Sequence, residues 1–191
     1  MKTKLLGIAV LAIMASAAFT ASSASATTLE VGGVTQNSSV ELKWSLLEPS
    51  IVWARTDGAV GNSCAQSTMG GKTTVVTGAK VTVPLQELTF LQCSALPWVI
   101  HKGGQLYIEH EAGTTSGDVF LEDSQWTVPT SFGTINCKTG EGTKLGTLNA
   151  TSSGHATMAV NAVLNCGFLA PSITLKATFQ LTSPTGLGVS A

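Results

Sequence analysis

The densest group of side chains that could carry acid–base or metal chemistry is the run Glu109-His110-Glu111. On an extended strand both carboxylates fall on one face, about 7 Å apart, while His110 points to the other face. Such a pair could hydrolyse a glycoside, or bind calcium together with oxygens such as those of Asp118. The favoured interpretation is the solvent-facing side of a half-buried strand. The three carboxylates are therefore weak metal candidates, and no cofactor is predicted.

The four cysteines are the second group with possible chemistry. Cys64, Cys93, Cys137 and Cys166 are separated by 29, 44 and 29 positions. An even number of cysteines in an exported chain is typical of disulfides. The equal outer separations favour Cys64–Cys93 and Cys137–Cys166. A zinc site is the alternative, but no two cysteines are closely spaced and no histidine lies near any of them.

Aromatic side chains are the candidates for contact with a ligand. Trp98 and Trp126 stand near prolines at predicted strand ends, where an exposed ring is more plausible than at Trp44, which shares the apolar face of its strand. With Tyr107 they could form a platform for a glycan or a lipid. Packing in the core or at its rim is the favoured interpretation for both tryptophans.

Motifs of the common enzyme classes are missing from the sequence. It contains no G-x-S-x-G nucleophile elbow, and no phosphate-binding glycine loop or H-E-x-x-H zinc motif. Paired cysteines would leave no thiolate to act as a nucleophile. The chain is therefore predicted not to be an enzyme.

The elements that would hold these residues are strands. In "VELKWSL" the residues Val40, Leu42, Trp44 and Leu46 alternate with polar ones, the pattern of a half-buried strand. Similar runs recur along the chain, separated by glycine-containing turns. They predict an all-β fold, a single antiparallel sandwich-type domain with Greek-key or meander connections. The segment "LEPSIVWARTDG" is the one helix candidate.

The first residues have the layout of a secretory signal. Lys2 and Lys4 precede an apolar run, and Ala24-Ser25-Ala26 matches a cleavage site. Residues 1–26 are predicted to be a signal peptide, and residues 27–191 the mature domain without a membrane span. The predicted location is secreted, extracellular or at the cell surface.

Charged residues are scarce. Removing Lys2 and Lys4 leaves 8 Lys and Arg against 11 Asp and Glu, a net charge of −3. Charged residues make up 11% of the chain, against about 25% in typical soluble domains. A chain of this kind lacks the basic patch that nucleic-acid binding needs. Its sparsely charged surface suits the cell envelope, an apolar or glycan ligand, or another copy of itself.

Two stretches resemble known families. "LQCSALPW" and the ending "LNCGFLAPSITLKATFQLTSPTGLGV" look like exported actinobacterial proteins of unassigned function, over most of the mature chain. "CSALPW" is more faintly similar to the secreted activators of alkane oxidation, and covers only a cysteine and a Leu-Pro-Trp. The second resemblance implies a non-enzymatic extracellular protein that assists growth on apolar substrates.

These patterns together predict a non-catalytic secreted or cell-surface structural or binding protein. Self-association is expected to use uncharged sheet edges such as that of "FQLTSPTGLGVSA". A lipid-, alkane- or glycan-binding accessory module is the first alternative. A secreted hydrolase using Glu109 and Glu111 is the second.

Overall fold

The computed structural model describes residues 26–47, 51–55, 60–94, 96–130, 133–151, 153–167 and 172–191. Every secondary-structure element in these ranges is a β-strand, which confirms the all-β prediction. The predicted signal peptide lies outside the described residues apart from Ala26. No helix within these ranges is long and apolar enough to cross a membrane.

Sixteen strands follow one another along the described chain. They are β1 (Thr27–Val31), β2 (Val34–Thr35), β3 (Glu41–Leu46), β4 (Ile51–Arg55), β5 (Val60–Lys72), β6 (Thr77–Gly78), β7 (Val81–Cys93), β8 (Val99–Lys102), β9 (Gln105–His110), β10 (Gly117–Glu122), β11 (Gln125–Thr130), β12 (Gly133–Lys138), β13 (Lys144–Asn149), β14 (Thr157–Leu164), β15 (Ile173–Ser183) and β16 (Leu187–Ser190).

The strands form where apolar and polar side chains alternate. In β3, Leu42 and Trp44 are buried while Glu41 and Lys43 are exposed. The same alternation of buried and outward-facing residues runs through β14 and β15. Alternation with a period of two buries one face of a strand, so these predicted half-buried strands are confirmed, as is the place of Trp44 in the core.

The segment "LEPSIVWARTDG" is not a helix where the structure describes it. Residues Ile51–Arg55 form β4, which pairs with β5 and β15. The β-branched residues Ile51 and Val52 favour extended backbone. The helix alternative for this segment is therefore wrong.

The largest sheet closes on itself. Its strands are hydrogen-bonded in the order β14-β13-β10-β9-β7-β5-β3-β15, and β15 also pairs with β14, so eight antiparallel strands form a barrel. β3 and β4 each pair with β5 on one side and with β15 on the other. β4 therefore occupies the same place in the barrel wall as β3, further along these two long strands. The predicted two-sheet sandwich is not confirmed. Alternation shows that one face of a strand is buried, and a barrel lumen satisfies this as well as a second sheet does.

Side chains fill the lumen of the barrel. Leu148, Met158 and Leu181 are among the fully buried ones. A cavity of about 20 Å³ remains between apolar residues that include Phe90 and Phe179. A space of this size holds about one water molecule and, without polar partners, stays dry. This cavity, as the described residues line it, is too small for a ligand.

A small sheet closes each end of the barrel. At one end β1 pairs with β16, β2 and β6, and its strands contact β7 and β9. Leu29, Leu187 and Val189 of this sheet are fully buried. At the other end, where β9 begins and β10 ends, β8, β11 and β12 form what we call the capping sheet. Its Trp126 reaches the lumen cavity.

Both disulfides have the pairing that the equal separations favour. Cys64 and Cys93 are directly opposed on β5 and β7. Cys137 of β12 is bonded to Cys166, just beyond β14, so this disulfide joins the capping sheet to the barrel wall. The two disulfides therefore cross-link different parts of the fold, although their loops are equally long.

Candidate functional site

The acidic cluster predicted from "EHE" does not form a site. Glu109 and Glu111 are exposed. Asp118 is paired in register with Glu109, but its carboxylate forms an ion pair with Lys144 at 2.8 Å. Within the described ranges, no group of three or more His, Cys, Asp or Glu side chains could hold a metal ion. Glu109 lies on the outward side of β9, the position favoured from the sequence, and Glu111 lies just beyond the end of that strand.

The two tryptophans proposed as ligand contacts are buried. Trp98 is 5% exposed and Trp126 2% exposed, and with Phe90 they form an aromatic cluster, 4.3 Å from Phe90 to Trp98 and 6.2 Å between the tryptophans. Both rings are packed in the core, which is the interpretation favoured from the sequence over contact with a ligand. The strand end that carries Trp126 belongs to the capping sheet, whose inner face lies against the barrel.

Tyr107 lies apart from the tryptophans, among polar side chains of β9 and its neighbours. Lys80 Nζ lies 3.5 Å from the centre of its ring, and its hydroxyl donates to Gln105 Oε1 at 2.7 Å. The ring is thus covered by a cation, and it forms no joint platform with the buried tryptophans.

An open groove lies on the capping sheet. Its volume is about 530 Å³, within the range of about 300–1,000 Å³ usual for ligand pockets. It is lined by His101, Gln125, Trp126, Asn136, Cys137, Lys138, Asn165 and Gly167. Trp126 and Cys137 are buried whereas the other six are exposed, so the side chains that the groove presents to solvent are mostly polar.

One wall of the groove is a row of hydrogen-bonded side chains across three strands. His101 is the residue of β8 that the register to β11 skips, between Ile100 and Lys102, and such bulges re-aim side chains. Its Nε2 lies 2.7 Å from Thr127 Oγ1. The Thr127 hydroxyl donates to Asn136 Oδ1 at 2.7 Å. The Thr127 hydroxyl thereby holds both His101 and Asn136 in position.

This contact between His101 and Thr127 does not make a nucleophile and its base. A general base must accept the hydrogen of the hydroxyl that attacks. The single hydroxyl hydrogen of Thr127 is directed to Asn136, so His101 Nε2 donates to Thr127. The arrangement positions side chains and does not activate the threonine.

The turn after β14 continues this row on the other side of β12, through the bridge between Lys138 and Asn165. Lys138 N donates to Asn165 O at 3.0 Å, and Gly167 N donates to Asn165 Oδ1 at 3.2 Å. The Cys137–Cys166 disulfide joins the same two segments. The two segments are therefore held together by a covalent bond and a backbone hydrogen bond, which makes the groove a preformed feature.

His101 stands beside turn glycines in the sequence, where a side chain is expected to be exposed, and it is exposed in the structure. Gln125, Asn136, Lys138 and Asn165 were not singled out from the sequence. The signal that could have found them is the pattern "INCK" and "LNC", in which a polar residue precedes each cysteine of one disulfide.

No protein family, curated protein or solved structure matches this chain. The function of this protein is therefore inferred from the residues and geometry of the groove.

Proposed function

We propose that this protein is a non-catalytic, secreted or cell-surface binding module that holds a glycan in the groove of its capping sheet. The observation that carries the proposal is the groove itself, about 530 Å³ of open space with amide, imidazole and ammonium groups on its walls. Sugars present many hydroxyl groups, and such side chains exchange hydrogen bonds with them. A cross-linked groove also costs little conformational entropy on binding.

The extracellular setting is part of the same proposal. Disulfides persist in oxidising compartments and are rare in the cytosol, and both pairs of cysteines are bonded. This supports the predicted export of the chain and a role at or near the cell envelope.

The alternatives have less support. A lipid or alkane would need an open apolar cavity, and the lumen cavity of about 20 Å³ is too small. Exposed Leu91 and Leu96 add scattered apolar surface, which single soluble domains commonly have. For self-association, β15 offers no free edge because it is paired on both sides, and the edge left in "FQLTSPTGLGVSA" is the four-residue β16, which among the described strands pairs with β1. For a hydrolase using Glu109 and Glu111, both side chains are exposed, and neither lines any of the cavities described in this part of the chain.

Isothermal titration of the mature protein with a panel of neutral and acidic oligosaccharides tests the proposal. We expect one or more to bind, and Asn136→Ala to weaken binding about three- to tenfold, the value of one or two hydrogen bonds. The matched control is Asn161→Ala, which removes an exposed amide from β14 outside the groove. Absence of binding to every sugar, or equal affinity of Asn136→Ala and the wild type, would contradict the proposal.

A further inference from the structure

We propose that the groove selects acidic saccharides, in which a carboxylate or another oxyanion accompanies the sugar hydroxyls. This inference rests on the proposed glycan-binding function and concerns the charge of the ligand. It follows from the hydrogen-bonding groups of the groove that remain for a ligand, and from the charges of its walls.

Asn165 presents a donor to the groove. Its Oδ1 already accepts from Gly167 N at 3.2 Å. A backbone N–H can only donate, so this contact identifies the oxygen of the amide. The Nδ2 group, with two hydrogens, is the part of the side chain that is left for a ligand.

Asn136 is arranged in the same way on the neighbouring strand β12. Its Oδ1 accepts from Thr127 Oγ1 at 2.7 Å, which again leaves Nδ2 as the group for a ligand. The two amides lie on separate segments that the Cys137–Cys166 disulfide joins. Both amides line the groove, so each of the two segments offers a donor to acceptor oxygens of a ligand.

Lys138 adds a positive charge between these amides. It is exposed, follows Cys137 in β12 and lines the groove. Among the residues that the structure describes, none that lines the groove is acidic. Asp123, two residues before Gln125, is already in an ion pair with Lys102. The groove is thus a basic, donor-rich site.

The charge of the groove is opposite to that of the mature chain. The predicted mature chain carries a net charge of −3, which on its own disfavours acidic ligands at long range. A local site of opposite sign gives charge-assisted hydrogen bonds, which are roughly twice as strong as neutral ones. The ligand that fits such a site has oxygen acceptors and a negative charge.

Matched pairs of oligosaccharides test the inference. Calorimetry would compare oligogalacturonate with its methyl ester, which keeps the sugar and removes the charge, and would include alginate and sulfated oligosaccharides beside neutral chitin and glucan oligomers. We expect the acidic members to bind at least about tenfold more tightly than the neutral ones, with affinity that falls as salt is raised. Comparing the affinities for carboxylated and sulfated oligosaccharides shows which kind of oxyanion the groove prefers.

The outcomes separate the two proposals. If neutral sugars bind as well as acidic ones, the groove binds glycans but the selectivity proposed here is wrong. If no sugar binds, both proposals fail. If acidic sugars bind, Lys138→Gln should weaken them about five- to tenfold while leaving the weak binding of neutral ones unchanged.

Lys176→Gln is the matched control, because Lys176 is an exposed lysine of β15 outside the groove. It changes the net charge of the protein by the same amount. Equal losses in Lys138→Gln and Lys176→Gln would show an effect of overall charge and would overturn the assignment of the site to the groove.

Discussion

Cys137 of β12, which lines the groove, is bonded to Cys166, two residues beyond the end of β14. The bond links a strand of the cap to the barrel wall, and the neighbouring residues Lys138 and Asn165 are also joined through their backbones. The disulfide therefore stabilises the fold and also fixes β12 beside the turn that carries Asn165.

Removing either disulfide should destabilise the protein, but only one should affect binding. Each closes a loop with a separation of 29 residues, for which the loop-entropy model gives about 3–4 kcal/mol. The variants are Cys137→Ala with Cys166→Ala, and Cys64→Ala with Cys93→Ala as the control. Urea unfolding measures stability, and calorimetry at a temperature where both are folded measures binding.

We expect binding to be lost or strongly weakened only in the Cys137 and Cys166 variant. Equal binding by the two folded double variants would contradict the role of this disulfide in the groove.

The two buried tryptophans should differ in their sensitivity to replacement by phenylalanine. The indole N–H of Trp126 donates to Ser124 Oγ, whereas the buried Nε1 of Trp98 has no partner among the described residues. Trp126→Phe loses a hydrogen bond worth about 1 kcal/mol, and Trp98→Phe removes a buried unpaired donor. The free energy of unfolding should therefore fall further for Trp126→Phe. A larger loss in Trp98→Phe would contradict this account of the cluster.

Gly146 of β13 should tolerate no side chain. A Cβ at this position would collide with the backbone oxygen of Ala159 on the paired strand β14, and two hydrogen-bonded barrel strands cannot easily move apart. Gly146→Ala should lower the free energy of unfolding by about 1–3 kcal/mol or more. Gly140→Ala is the control, since nothing lies within 4 Å of a Cβ there. Similar urea midpoints for the two variants would disprove the close approach.

Tyr107 should lose its proton only at strongly alkaline pH. Desolvation, then the carboxylate of Glu122, and then Asp123 and Glu141, raise the pKa of Tyr107 above 10.0. The folded protein holds this proton more tightly than the unfolded chain, so the contribution of Tyr107 is present below pH 10 and is lost as the pH rises further. Tyr107 is the one tyrosine of the chain, and the absorbance of its phenolate reports it alone.

Glu122→Gln should move that titration midpoint down towards 10.0, because one of the negative charges that oppose ionisation is removed. Glu41→Gln, at an exposed carboxylate on β3, serves as the control and should leave the midpoint unchanged. An unshifted midpoint in Glu122→Gln would contradict the electrostatic cause.

Much of the fold could be predicted because its signals are local. The alternation through Leu42 and Trp44 depends only on the period of an extended chain, and so predicts the strands. The disulfide pairing could be inferred from equal separations. Closure into a barrel could not, because the pairing of β15 with β3 joins segments far apart in the chain.

The groove was beyond sequence reasoning for the same reason. His101, Asn136 and Asn165 are distant in the chain, and each alone is an ordinary exposed polar residue. For Trp98 and Trp126 the local signal was misleading. Nearby prolines made exposed rings plausible, but both rings are buried in the folded protein.

The amino-acid sequence by itself determined the strands, the buried face of many of them, and the partners of the four cysteines, since these follow from short-range periodicity and from spacing. Only the tertiary structure decided that the sheet closes, that its lumen is filled, and that three capping strands and one turn enclose a polar groove. The reason is physical: a strand pattern specifies which face avoids water, but the surface that covers that face comes from distant parts of the chain.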